Sequence, residues 1–187
     1  MQVFRKSGMP TVYRESTKHR MKQVFLPDDM YEAALRSFVC VNTDCVIVSK
    51  TRRTFWLAKR AVKPMPGNWI IGGREFAGEL PAHSMQRNFN KETGIWLPES
   101  RFQFVMMTRY LWKDREQEPQ DAGSDNLAYT FMVELSDEEV QIVAGRLERK
   151  EYEAGYGLRE FSRTQMIAAK VHPVLVDLHY AIFPVAD

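Results

Sequence analysis

One stretch limits the possible folds more than any other: "GGREFAGELPAHSMQRNFNKETGI", residues 72 to 95. From Pro81 to Thr93 the apolar positions Ala82, Met85 and Phe89 fall on one helical face. Proline suits the first turn of a helix, and glycine suits a left-handed stop, so Pro81 and Gly94 predict both ends. Two glycines and a run of charged residues precede this helix, and the brief apolar "WII" leads into them. A strand, a glycine turn, a loop and a helix are therefore expected in that order, with Glu79, Arg87 and Glu92 at fixed places along them.

Around this unit the chain alternates in type. "LPDDMYEAALRS" carries Asp29 and Glu32 at capping-box spacing and predicts a short helix. "FVCVNTDCVIVS" and "TFWLAKR" predict paired strands across the basic turn "KTRR". "VKPMPGN" reads as a loop. "RFQFVMMTRYLW" and "LAYTFMVEL" predict two further strands, separated by the polar "KDREQEPQDAGSDN". Ser136 with Glu139 and Ser162 with Gln165 open two more helices, the first running to about Glu148, and "HPVLVDLHYAIF" closes the chain as a helix. The result is a mixed α/β sandwich rather than a regular βαβ alternation. At 187 residues one domain is expected.

Charge is uneven. Residues 1 to 22 hold Arg5, Lys6, Arg14, Lys18, Arg20 and Lys22 against Glu15, a net of +5 in a chain whose total is +2. Residues 1–25 are expected to form a solvated, flexible basic arm, with the domain at 26–187. Nucleic acid is a sharper reading of the arm that its composition does not establish. No run approaches the roughly 20 apolar residues of a membrane span, and the first ten residues lack the apolar centre of a secretory signal. Cys40 and Cys45 would lie on opposite faces of one strand, so no bridge is expected between them. These features suggest a reduced, cytoplasmic setting.

Gly73, Glu79, Arg87, Glu92 and Gly94, with Phe89 and Ile95 at bulky apolar positions, match the Nudix box G-x5-E-x7-R-E-U-x-E-E-x-G-U. Five such matches arise by chance on the order of once per million starting positions. The resemblance implies a Nudix-type α/β/α sandwich with a mixed sheet. The box usually places three glutamates on one helix edge, because a diphosphate under attack needs hard cations held by oxygen. Here Asn88 and Lys91 occupy two of those positions and only Glu92 remains. Degeneracy of this kind, together with "DCVIVS…FWLAKRAVKPMPGNWIIGGREFAGE", resembles the GDP-mannose mannosyl hydrolase branch. Those enzymes cleave a nucleoside-diphosphate sugar at the glycosyl carbon, with one Mg²⁺ on the departing diphosphate.

That resemblance implies roles for particular residues. Glu92 and the carbonyl of Gly72 would hold one Mg²⁺, or Mn²⁺. Arg74 would neutralise the leaving phosphate, Arg60 would face the diphosphate, and Asp44 would contact the sugar hydroxyls. The family's general-base histidine falls on Tyr129, a poor base with a reference pKa of about 10. Asp121 and Asp125 in the neighbouring loop are the substitutes considered, Asp125 foremost. Glu79 is read either as a reacting group or as support for the helix start, and Arg87 as a holder of the glutamates. Lys91 contacts phosphate or is solvated. Trp112 or Tyr110 could stack a nucleobase. The resembling enzymes are dimers, which suggests a homodimer. The reading from another class is an inactive Nudix-fold module that binds a nucleotide or a protein partner.

Overall fold

The computed structural model describes residues 2–4, 9, 11–16, 18 and 20–184; Arg5, Lys6 and His19 of the basic arm lie outside them. A small hairpin pairs β1 (Gln2–Phe4) with β2 (Val12–Arg14) in antiparallel fashion. Helix α1 (Asp28–Ser37) starts one residue before the expected cap, after Pro27, and no side chain caps it. Asp29 and Glu32 thus both lie inside the helix, and their spacing does not mark its boundary.

The main sheet has seven strands. β3 (Cys40–Ser49) is its centre, with β8 (Ser124–Glu134) parallel on one side. On its other side β3 pairs first with β6 (Ile71–Arg74) and then with β4 (Thr54–Arg60), both antiparallel. β7 (Gln103–Trp112) extends the sheet beyond β8, while β5 (Gly67–Trp69) and β9 (Leu158–Phe161) both pair with β4. β3 is continuously buried from Thr43 to Ser49 because both faces are covered. Cys45 and Ile47 point to one face, and Val46 and Val48 to the other. Both cysteines are free.

Helix α2 (Pro81–Thr93) covers the first face, with Met85 and Phe89 fully buried against Ile71, Phe102 and Phe131. Gly94 ends it at φ 70, where only glycine sits without strain. Helix α3 (Asp137–Arg146) adds Val143 to this layer. The second face is closed by α4 (Arg163–Ala168) and α5 (Pro173–Ile182), through Met166, Leu175 and Leu178. The capping boxes at Ser136 and Ser162 are both formed. Helix, sheet, helix: the α/β/α sandwich follows from β3 carrying apolar residues on both sides. Among the described residues no helix is long and apolar enough to cross a membrane.

Candidate functional site

A cavity of about 490 Å³ lies over the start of β3, next to the point where β4 replaces β6 as its partner. Its floor comes from the start of β3, with Asn42 and Asp44, and from Ser124 and Asn126 of β8. Alternation along β3 turns these side chains toward the face of Val46. Asn42 Nδ2 donates to Asn126 Oδ1 at 3.0 Å, and Asn126 Nδ2 to Ser124 Oγ at 2.9 Å, which fixes a polar strip across the parallel pair. One wall is aromatic: Tyr110 and Trp112 lie two residues apart on β7 and stack with ring centroids 4.9 Å apart, and Trp69 meets both edge-on at 6.0 Å.

Cations face these groups. Arg60 at the end of β4, Arg74 at the end of β6, Lys63, Lys91 and Lys150 all line the cavity. The Arg74 guanidinium lies 4.4 Å from the Tyr31 ring centroid, and burial lowers its pKa to about 10. No described carboxylate forms an ion pair with it. Arg60 reaches Glu151 Oε2 at 3.4 Å, and Lys91 approaches Glu151 Oε1 at 3.9 Å.

Two buried carboxyls complete the site. Asp44 is 8% exposed, and among the described residues none donates a hydrogen bond to it. Burial pushes its pKa up to about 7, against the pull of Arg60. A side chain at position 72 would collide with it, since a Cβ on Gly72 would lie 2.2 Å from Asp44 Oδ1. Glu92 is 3% exposed, and the Tyr152 hydroxyl donates to its Oε2. The Gly72 N–H reaches the same oxygen at 3.4 Å. Burial, followed by repulsion from Glu151, raises the Glu92 pKa to about 7, opposed by Tyr152, Lys91 and Gly72.

Compared by sequence with protein-family models and with curated proteins, the chain matches none. Solved structures do resemble it. The MutT Nudix hydrolase of Burkholderia pseudomallei superposes with a TM-score of 0.51 at 20% identity, over 68% of this chain and 86% of that one. The dihydroneopterin triphosphate pyrophosphohydrolase of E. coli gives 0.52 at 12% identity, over 75% and 92%. The Nudix domain of Shewanella oneidensis NrtR, solved with ADP-ribose, gives 0.51 at 13% identity, over 82% and 96%. The chain has the Nudix fold.

Within the Nudix fold, the box residues divide into two groups. Gly72, Arg74, Lys91 and Glu92 line the cavity beside Asp44 and Arg60. Glu79 does not: it forks onto Arg87, with Arg87 Nε to Glu79 Oε1 and Nη2 to Oε2 both at 2.7 Å, and accepts from the Phe76 N–H. Its carboxyl pKa is lowered although burial, the largest single influence, acts to raise it; the Arg87 hydrogen bonds, the Phe76 N–H and the charges of Arg87 and His83 together outweigh that. Glu79 is thereby fastened to α2 just before its first residue, Pro81. Arg87 also donates to Asn88 Oδ1 and to the carbonyl of Arg74, both at 2.8 Å, so it ties the box loop to α2. Asn88 gives its Nδ2 to Thr43 Oγ1 at 3.0 Å and to the Arg74 carbonyl at 3.1 Å, and is absent from the cavity lining.

Asp125 also lies elsewhere. Alternation along β8 turns Ser124 and Asn126 inward and Asp125 outward, where it forks onto exposed Arg109 at 2.9 and 2.6 Å. Tyr129 packs against Phe104 and likewise does not line the cavity. Asp121 sits in a short turn of the loop, also outside the lining.

The magnesium site implied by the resemblance needs several free oxygen donors at one place. Among the described residues no group of three or more His, Cys, Asp and Glu is arranged to hold a metal ion. Glu92 already accepts from a phenol, Asn88 is engaged with β3 and β6, and Lys91 brings a positive charge. With the Tyr152 hydroxyl donating to Glu92, the residues present do not fit the ion.

Sequence reasoning missed Tyr152, Glu151 and Arg115. Arg115 is 2% exposed and gathers the carbonyls of Gln117, Glu118, Pro119 and Gly123, shaping the loop that walls the cavity. Odd placement of a long cation in a polar loop is not a sequence signal, because most such arginines are solvated.

Proposed function

We propose that this protein hydrolyses a nucleoside-diphosphate sugar, of the GDP-mannose kind, at the glycosyl carbon. The observation that carries the reading is the meeting of a buried carboxylate, Asp44, which accepts no hydrogen bond among the described residues, with two guanidiniums, Arg60 and Arg74, around one cavity. Guanidinium groups suit a diphosphate because they donate paired, coplanar hydrogen bonds and stay charged when partly desolvated. As the bond from sugar to diphosphate breaks, negative charge grows on the leaving oxygen, and Arg60 and Arg74 stabilise it there. Asp44, with a pKa near neutrality, accepts the proton of the attacking water. The aromatic wall of Trp69, Tyr110 and Trp112 receives the nucleobase. Attack at carbon does not call for the carboxylate cluster that activates water beside phosphorus, in keeping with the loss of two box glutamates.

A nucleotide-binding module without turnover is the second reading, and one observation favours it: Glu92 is satisfied internally by Tyr152. Incubation with GDP-mannose, followed by phosphorus and proton NMR, separates the two. Hydrolysis at carbon yields GDP and free sugar. GMP with sugar phosphate would place the attack at phosphorus and overturn the proposal. Tight GDP binding with unchanged substrate supports the module. ADP-ribose serves as the second probe in both assays.

A further inference from the structure

Glu92 is the carboxylate that the box spacing leaves at the cavity edge of α2, and its surroundings are complete without an ion. The Tyr152 hydroxyl donates to Oε2, the oxygen that the Gly72 N–H also approaches. Tyr152 is 4% exposed, and its backbone is fastened on both sides. Residue 152 bridges to Arg60, the Ala61 N–H donates to the Glu151 carbonyl at 2.8 Å, and the Glu153 N–H donates to the Lys59 carbonyl at 2.8 Å. The Glu148 N–H donates to the carbonyl of Glu92 itself at 2.9 Å. Segment 148–153 is therefore stitched to β4 and to the end of α2, which aims the phenol at Glu92.

A hard divalent cation needs the lone pairs of several oxygens at about 2.0–2.6 Å, and it repels a proton pointed at the same oxygen. Here the Tyr152 hydroxyl proton already points at the one carboxylate left at the cavity edge of α2. The neighbouring cations are the protein's own: Arg60 and Lys91 share Glu151, directly after which Tyr152 follows in sequence.

We infer that the Tyr152 hydroxyl stands on Glu92 where a divalent cation would otherwise sit, so that the cavity binds its diphosphate ligand without a metal ion. Arg60, Arg74 and Lys91 supply the positive charge instead. The ligand class rests on the proposed function above; the assignment of the hydroxyl does not.

Electron paramagnetic resonance of Mn²⁺ titrated into the full chain, with no nucleotide present, tests the assignment. The wild-type protein is expected to leave the free-ion signal unchanged into the millimolar range. Tyr152→Phe, which keeps the ring and removes the proton, is expected to take up one Mn²⁺ at lower concentration. Micromolar Mn²⁺ binding by the wild type would overturn the inference even if the variant fails to fold. A folded Tyr152→Phe as silent as the wild type would also overturn it. In the second arm, the Kd of GDP in EDTA and in Mg²⁺ is expected to agree within about twofold. A loss of tenfold or more in EDTA rejects metal-free binding, whereas failure to bind GDP in either buffer rejects the ligand reading and leaves the Mn²⁺ titration decisive for Tyr152.

Discussion

Asp44 and Arg74 can be told apart by what their removal does to binding and to turnover. Asp44→Asn keeps size and polarity but cannot take a proton. Its turnover of GDP-mannose is expected to fall by about 10²–10⁴. GDP affinity should hold or improve, because a negative charge leaves the neighbourhood of the phosphates. Equal loss of both would show that Asp44 only shapes the pocket. Arg74→Ala removes a charged donor that no described carboxylate claims, and GDP is expected to bind about 10–100-fold more weakly by calorimetry. At this scale the sequence is informative where function depends on a local pattern. Gly72, Arg74 and Glu92 lie on one short strand–loop–helix unit, so their spacing alone brings them together. Tyr152 reaches Glu92 from 60 residues away, and no periodicity or motif reports such a contact.

Helix α2 is the element on which the site depends, and its ends are readable because proline and glycine impose backbone angles that few residues share. Its inner face is set by Phe89, which lies fully buried against Phe102 with ring centroids 5.4 Å apart. Phe89→Ala leaves a cavity that the surrounding sheet cannot close, and is expected to cost about 3–5 kcal/mol in urea denaturation. A midpoint shift with unchanged slope is the signature; an unchanged midpoint would mean that α2 is not held through this face. Short elements are harder to read. β9 escapes because "LREF" has four residues, two of them charged, and is a strand only through pairing with β4. β5 and β6 merge into one apolar run in the sequence, although Gly67–Trp69 pairs with β4 and Ile71–Arg74 with β3. That change of partner lies beside the cavity, at Ile70, and it is a tertiary event. Likewise Asp125 falls on the outer side because strand β8 begins at Ser124, earlier than its apolar residues suggest, which fixes the alternation.

Across the whole molecule, buried and half-buried acids shape the protein's response to pH. Asp44, Glu75 and Glu92 all have pKa values raised to about 7, in each case chiefly by burial. A carboxyl whose folded pKa exceeds its unfolded value binds its proton more tightly when folded. The stability it contributes is fully present below the unfolded value of about 4 and is lost as pH rises through the folded one, each tenfold difference in proton affinity being worth roughly 1.4 kcal/mol. His172 and His179 act in the opposite sense: burial lowers their pKa, so they lose stability as pH falls below about 6.5. Glu79, Asp125 and Glu139 have lowered pKa values, and their contributions fade only in stronger acid, below the ordinary carboxyl range. Three raised carboxyls against two lowered imidazoles leave the carboxyls dominant between about pH 5 and 8, where the Tm of the ligand-free protein is expected to fall as pH rises. Asp44→Asn combined with Glu92→Gln removes two of the three, so its Tm should change less over the same interval. A double variant with the full wild-type slope would assign the effect to groups outside the cavity. Two of these acids line the cavity, so the same double variant also tests whether the candidate site is maintained at a cost to the stability of the fold.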